Sequence, residues 1–334
     1  MLPSIKNKHY IRSVKLKNLS IIIPHYNRPK LLEKLLNTIP NKADIEVIVV
    51  DDISTKYLEQ FESIKKSSIN KNVIFLENSA ENKGAGGARN LGIKHATGKK
   101  ILFADSDDFF VDDFYEVLTP FLTKTYDVVF FFADSINLSD NTPSKRHGRI
   151  NRILNNHLNF ETRESLLELK YNFTAPWCKL IDKELLKTNN ICFDLTQKAE
   201  DVMFSMRVGH YMKSFYVCDS LLYVITDGED NITKLMTQKA MQDKLSVAIE
   251  SFQFLKQNLS TKDFKYLTNT KDSISFKRAL LINAIIYGGR QFTIFTLRNL
   301  RKNHMKWFDT RLINPFYTIP RIPFHIKSFI KNRS

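Results

Sequence analysis

Ile101–Phe110, ILFADSDDFF, is the stretch whose reading decides the fold. Ile101, Leu102 and Phe103 form a short apolar run with the character of a buried strand. They deliver Asp105, Asp107 and Asp108 to its C-terminal end, the edge at which open α/β sheets bind ligands. Three acids within four residues repel one another unless a cation or a hydrogen-bond network compensates them. Such an oxygen-rich group suits Mg²⁺ or Mn²⁺ held by one or two carboxylates together with substrate phosphates. The expectation is a metal–diphosphate site. The same residues also make good turn and helix-cap chemistry. A calcium loop of the EF-hand kind is excluded, because its sixth position needs glycine and Phe110 stands there.

On the N-terminal side, Leu19–Pro24 (LSIIIP), Ile45–Val50 (IEVIVV) and Val73–Leu76 read as further apolar strands. Leu31, Leu32, Leu35, Leu36 and Ile39 recur at helical spacing between the first two, and Phe61 and Ile64 belong to a second helix. Unalternating strands separated by amphipathic helices predict an α/β fold with a mainly parallel sheet covered on both faces. Asp51 and Asp52 follow the second strand, on the same sheet edge as the acidic cluster. Asn82–Gly92, NKGAGGARNLG, is a glycine-rich turn entering a helix, suited to close approach of backbone N–H groups to an anion. It is neither a dinucleotide fingerprint, since Arg89 replaces the third glycine, nor a P-loop. Arg89 is an obvious partner for Asp105 or Asp107.

Beyond the cluster, a helix is expected over Asp113–Leu122 and a strand over Tyr126–Phe132. Ser139–Asn156 reads as a polar, basic, mobile surface loop. Asn172–Lys179 (NFTAPWCK) presents Trp177 either as a core plug or as a stacking surface. Lys198–Met212 is helical with Glu200 and Asp201 in its first turn, a placement also favourable to the helix dipole. Two short strands, Phe215–Val217 and Leu221–Ile225, precede helices at Ala240–Leu259 and Ser275–Ile286.

The 334 residues carry a formal charge of +15, which predicts anionic partners. The three cysteines, Cys178, Cys192 and Cys218, form no C-x-x-C pair and favour a reduced compartment, where they serve as small buried residues. The eight histidines lack metal-binding spacing. Residues 1–18 are basic without the apolar core of a secretory signal. The most apolar helix, Ala279–Gly289, has about half the ~20 residues needed to cross a bilayer, so a soluble or peripheral protein is expected. From Arg290 onward, basic residues alternate with Phe292, Phe295, Trp307, Phe308 and other aromatics, which suits an interfacial anchor on anionic lipid. Single-stranded nucleic acid, a less favoured partner, and a solvated face over a small helical core fit the same composition.

Taken in order, LSIIIPHYNRP, EVIVVDDIST, NKGAGGARNLGIKHATGKKILFADSDD, PWCKLIDKELL and AEDVMFSMR closely resemble the inverting glycosyltransferases of family 2, with the GT-A fold. The likeness runs from Leu19 to about Thr233 and suggests bacterial enzymes of capsule or lipopolysaccharide assembly. With the composition on either side, this divides the chain into a basic segment 1–18, a transferase domain 19–234 and a helical, basic-aromatic region 235–334. By resemblance, Pro24, Tyr26 and Asp52 cradle the base of a UDP-sugar. Asn82, Gly84 and Arg89 line the nucleotide-sugar pocket, and Asp105 and Asp107, extended by Asp108, bind metal and diphosphate. Trp177 faces the sugar or the acceptor, a glycan or lipid-linked oligosaccharide at the cytoplasmic face of the membrane. Asp201 is the general base, with Glu200 beside it. The chain departs from the family after the last strand, where LYVITDGEDN is acidic and a basic residue is usual; Lys234 or the N-terminal segment is then the substitute, unless the lid is built differently. A nucleotidyltransferase or phosphatase-like enzyme, and a non-catalytic adaptor binding membrane or nucleic acid, are the alternative readings.

Overall fold

The computed structural model describes residues 17–68, 72–228 and 237–305, with the side chains of 271–278 excepted. Its N-terminal half alternates strand and helix: β1 (Leu19–His25), α1 (Pro29–Thr38), β2 (Ile45–Asp51), α2 (Leu58–Ser67), β3 (Val73–Glu77), α3 (Ala85–His95) and β4 (Lys100–Phe103). Every residue of β1, β2 and β4 is buried, because both faces of this half-sheet are covered. The second half adds β5 (Phe109–Phe110), α4 (Phe114–Leu122), β6 (Val128–Asn137), α5 (Gly148–Phe160), α6 (Arg163–Tyr171), β7 (Lys179–Asp182), α7 (Lys183–Thr188), α8 (Glu200–Tyr211) and β8 (Phe215–Asp227). Four helices follow: α9 (Gln238–Asn258), α10 (Thr261–Asn269), α11 (Lys271–Tyr287) and α12 (Gly289–Lys302).

The strands form one sheet in the order β3-β2-β1-β4-β7-β6-β8-β5. The first four are parallel, β7 runs antiparallel to both β4 and β6, β8 is parallel to β6, and β5 closes the edge antiparallel to β8. The sheet is therefore mixed, with its parallel part on the N-terminal side. The chain leaves β1 in one direction to build β2 and β3, then returns to place β4 on the other side of β1. That reversal is a topological switch point, and the crevice beyond the strand ends there is the default ligand site.

Three local expectations give way. Gly148–Phe160 is a helix where a loop was expected, because Ile150, Ile153 and Leu154 bury one face of it among otherwise polar residues. Phe215–Asp227 is one strand of 13 residues rather than two. Register shifts opposite Phe130, Phe132 and Ala133 of β6 absorb the polar interruption at Asp219 and Ser220. Cys192 is exposed, whereas Cys178 and Cys218 are buried.

The C-terminal helices pack on the rest of the chain through shared apolar contacts. Leu167 and Tyr171 of α6 and Met203 and Met206 of α8 join Val247 of α9 and Leu267 of α10 in one cluster. Arg163 at the start of α6 forms a two-pronged ion pair with Asp263 of α10. Among the described residues no helix is long and apolar enough to cross a membrane. The basic-aromatic stretch beyond Met305, residues 1–16 and Lys234 lie outside the described residues.

Helices α6 and α8 touch backbone to backbone at Gly209, where an added Cβ would overlap the Lys170 carbonyl. Gly209→Ala must therefore push the two helices apart. We expect it to cost about 1–3 kcal/mol, read as a lower midpoint in urea unfolding; an unchanged midpoint would show that the crossing yields freely.

Candidate active site

The acids after β4 do not act as a trio. Asp105 lies against Arg89 of α3, with Oδ1 2.6 Å from the guanidinium Nη2. Asp107 faces across the β1/β4 crevice, where Nη1 of Arg28 donates to its Oδ2 at 2.9 Å. Asp108 turns into the protein: it is only 3% exposed and accepts the Thr226 N–H of β8 at 2.7 Å. Asp108 is thus tied to the backbone of β8. Among the described residues no group of three or more His, Cys, Asp and Glu side chains is arranged to hold a metal ion.

Charge in this turn is incompletely balanced. Burial, reinforced by Asp105, pushes the Asp107 carboxyl up, against the opposing pull of Arg28 and Arg146. Burial together with Asp107 and Asp105 raises Asp108 well above the usual carboxylate range. The donors at hand are hard carboxylate oxygens carrying surplus negative charge. Asp105 and Asp107 thus fit a divalent cation that takes its remaining ligands from substrate phosphates and water.

Arg89 joins this turn to the first turn of α8. Its Nη1 donates to Oε1 of Glu200 at 3.0 Å, and its guanidinium lies over the Phe193 ring, 5.2 Å from the centroid. Asp201 follows Glu200. Burial first, then the charge of Glu200, push the Asp201 carboxyl up to about 7, while Arg89 partly restrains it. The residue before this pair, Ala199, adopts a left-handed backbone with φ +62°, a conformation uncommon for a side-chain-bearing residue and typical of functional turns. Behind the pair, Lys179 is buried with its Nζ 2.7 Å from the Phe173 carbonyl, and burial lowers its pKa to about 7.

The other predicted residues line the same sheet edge. Pro24 is buried inside β1 and Tyr26 sits just beyond it, with Lys83 over its ring at 5.5 Å. Asp52 accepts the Gly84 N–H on both oxygens, at 2.8 and 2.9 Å, and Asn78 Nδ2 at 2.8 Å. It thereby ties the loop after β2 to the glycine-rich turn. Gly84 has φ +124°, a conformation that favours glycine. Asn82 is exposed at the mouth of that turn. Trp177 lies nearly parallel to Tyr223, with centroids 5.6 Å apart and planes at 17°.

Arg28, Tyr223 and Arg146 are site residues that sequence reasoning missed. Arg28 was visible as the basic member of the loop after β1, and its partner follows from β1 and β4 being neighbours. Arg146 belongs to the stretch expected to be a mobile loop, yet its guanidinium donates to the Thr226 carbonyl. It brings positive charge to the end of β8, the place where the sequence lacks it.

The architecture is that of the GT-A sugar-nucleotide fold. The structure matches residues 1–349 of Staphylococcus aureus TarS with a TM-score of 0.57 at 21% identity, covering 86% of this chain and 89% of that one. A mannosyltransferase from Pyrobaculum calidifontis, solved with GDP-mannose and Mn²⁺, gives a TM-score of 0.52 at 17% identity, covering 90% and 85%. Residues 20–189 match the family described as "Glycosyl transferase family 2", and the chain belongs to that family. Among sequence relatives, the poly(ribitol-phosphate) beta-glucosyltransferase of Bacillus spizizenii is 34% identical over 224 residues, 63% of this chain and 33% of the relative. The poly(ribitol-phosphate) beta-N-acetylglucosaminyltransferase TarS of S. aureus is 30% identical over 195 residues, 56% and 32% respectively. The chain therefore spans about a third of the length of these two relatives.

A carboxyl raised to about 7 in the folded state binds a proton that the unfolded chain has released above about 4. Stability therefore declines as pH rises through that window. Asp201→Asn removes this decline. The variant's melting temperature should exceed that of the parent by a margin that widens from pH 5 to pH 8; a constant margin would mean that Asp201 titrates normally.

Proposed function

We propose that this protein is a divalent-metal-dependent, inverting glycosyltransferase that moves a sugar from a UDP-sugar to a hydroxyl of a bacterial surface glycan or its lipid-linked precursor. The observation that carries the reading is the Arg89 bridge. It holds the diphosphate-side acid, Asp105, and the α8 acid pair in one continuous charged network across the sheet edge. TarS fragments solved with UDP-GlcNAc and with UDP support a uridine nucleotide as the donor. The relatives named for poly(ribitol-phosphate) widen the acceptor class from capsule and lipopolysaccharide chains to anionic wall polymers, which the +15 charge suits.

The roles follow from position. Tyr26 and Asp52 border the base, Asn82 and Gly84 border the nucleotide beside the helix start of α3, and Arg28 and Arg89 bring positive charge to the diphosphate side. A cation held by Asp107 with Asp105 would neutralise charge developing on the departing diphosphate. Inversion needs one in-line displacement, so the proton of the acceptor hydroxyl must be taken from the face opposite the leaving group. Asp201 accepts it, and a carboxyl poised near 7 suits that task at neutral pH. Glu200 helps set that poise and holds Arg89, while Trp177 offers a flat apolar face to the sugar or acceptor.

Isothermal titration of UDP with Mn²⁺ tests the donor side: binding to the parent should be metal-dependent and should vanish in Asp107→Ala. Asp201→Asn should bind UDP normally and lose about 10²–10⁴-fold in transfer rate. Normal turnover by that variant would remove Asp201 from the chemistry.

Our reading extends to a location at the cytoplasmic face of the membrane. On α12, Phe292, Thr296 and Leu300 are buried while Arg290, Ile294, Phe295 and Arg298 are exposed. This arrangement of basic and apolar groups suits anionic lipid. Co-sedimentation with phosphatidylglycerol vesicles should fall several-fold in a Phe295→Asp, Arg298→Glu variant, and equal binding by variant and parent would refute this face as the contact.

A further inference from the structure

Tyr223 lies in the middle of β8 with no exposed surface. Its hydroxyl accepts the Asp105 N–H at 2.8 Å and donates to the Asp108 carboxylate. The turn that it grips is tight, since the Asp108 N–H closes on the Asp105 carbonyl at 3.0 Å. The other end of Tyr223 is its ring, stacked flat on the half-buried Trp177 and set edge-on to Phe110 at 5.3 Å.

The loop carrying Trp177 is fixed at two further points. Ser205, one helical turn beyond Asp201, donates to the Thr174 carbonyl at 2.7 Å, and Lys179 donates to the Phe173 carbonyl at 2.7 Å. Phenylalanine would fill the same core volume, so packing alone does not call for the hydroxyl. A buried phenol must have partners, and here both partners belong to the acidic turn.

We propose that Tyr223 is a positioning residue that couples the two sides of the site: its hydroxyl sets the Asp105–Asp108 turn that receives the donor diphosphate, and its ring seats Trp177 toward the acceptor. This rests on the transferase reading above. Donor occupancy is thereby registered at Trp177, although Trp177 belongs to the opposite half of the sheet.

The chain has two tryptophans, so a Trp307→Phe parent leaves Trp177 as its sole indole reporter. UDP with Mg²⁺, which does not quench emission, is titrated into this parent and into the same protein carrying Tyr223→Phe, by calorimetry and by fluorescence. The parent should bind and shift its emission. The Tyr223→Phe protein should bind UDP–Mg²⁺ about tenfold more weakly, as expected for loss of the buried hydrogen bonds that the hydroxyl makes to the turn, and show no emission change. A purely structural tyrosine would lower the melting temperature and leave affinity and emission response intact, overturning the proposal. Should Tyr223→Phe fail to fold, the parent titration decides alone: binding without an emission change overturns it. A parent that does not bind UDP–Mg²⁺ sinks the transferase reading, and this inference with it.

Discussion

The buried guanidinium of Arg89 is the constraint on which the site depends. It is 4% exposed and pairs with Asp105 on one side and Glu200 on the other. A charge so placed is tolerable because carboxylates compensate it, and removing Arg89 itself would leave Asp105 and Glu200 without their shared cation. The pairing also explains why acids 95 residues apart in sequence can share one sheet edge without mutual repulsion dispersing them. Arg89 reaches this position because α3 packs tightly: a Cβ on Gly92 would strike Ile22 of β1, and one on Gly86 would strike the Asp194 carbonyl.

Around that pair, the acids divide into different electrostatic conditions. Asp105 is directly paired, Asp107 retains surplus charge beside Arg28, Asp108 is committed to β8, and Asp201 is driven toward neutrality. One short run of aspartates thereby supplies a structural acid and two acids suited to a cation, while a fourth acid, held by its own burial, is suited to a proton. Environment separates residues of identical chemistry.

Much of the sheet was legible because β1, β2 and β4 are buried on both faces and read as unbroken apolar runs. Helix α5 was hidden by composition: Arg149, Asn151, Arg152, Asn155 and Asn156 dominate it, although the buried Ile150, Ile153 and Leu154 keep helical spacing. Strand β7 escaped because it has only four residues and begins with a lysine, buried here since a carbonyl accepts its ammonium. In the site, Arg89 with Asp105 was one of two pairings that the sequence allowed. The contact of Arg89 with Glu200, separated by 111 positions, and that of Arg28 with Asp107, separated by 79, depend on strand order and cannot be read from spacing. The inward turn of Asp108 was equally invisible, because alternation along an irregular loop does not say which carboxylate meets a backbone amide.

The short antiparallel strand β7 carries a mechanical burden out of proportion to its length. In the strand order it is the element that joins the parallel half of the sheet, with Asp105 and Asp107 at its edge, to the half bearing Trp177 and Tyr223. Opposite β4 it is matched at only two positions, Lys100 with Asp182 and Ile101 with Ile181, the first locked by an ion pair of 2.9 Å. Side chains on a strand alternate between faces, so a slip of one residue would turn Lys179 and Ile181 to the wrong side. It would also carry the tryptophan by one strand step, ~3.3 Å, along the seam. That single stitch works as the caliper of the molecule, setting the gap between its two halves.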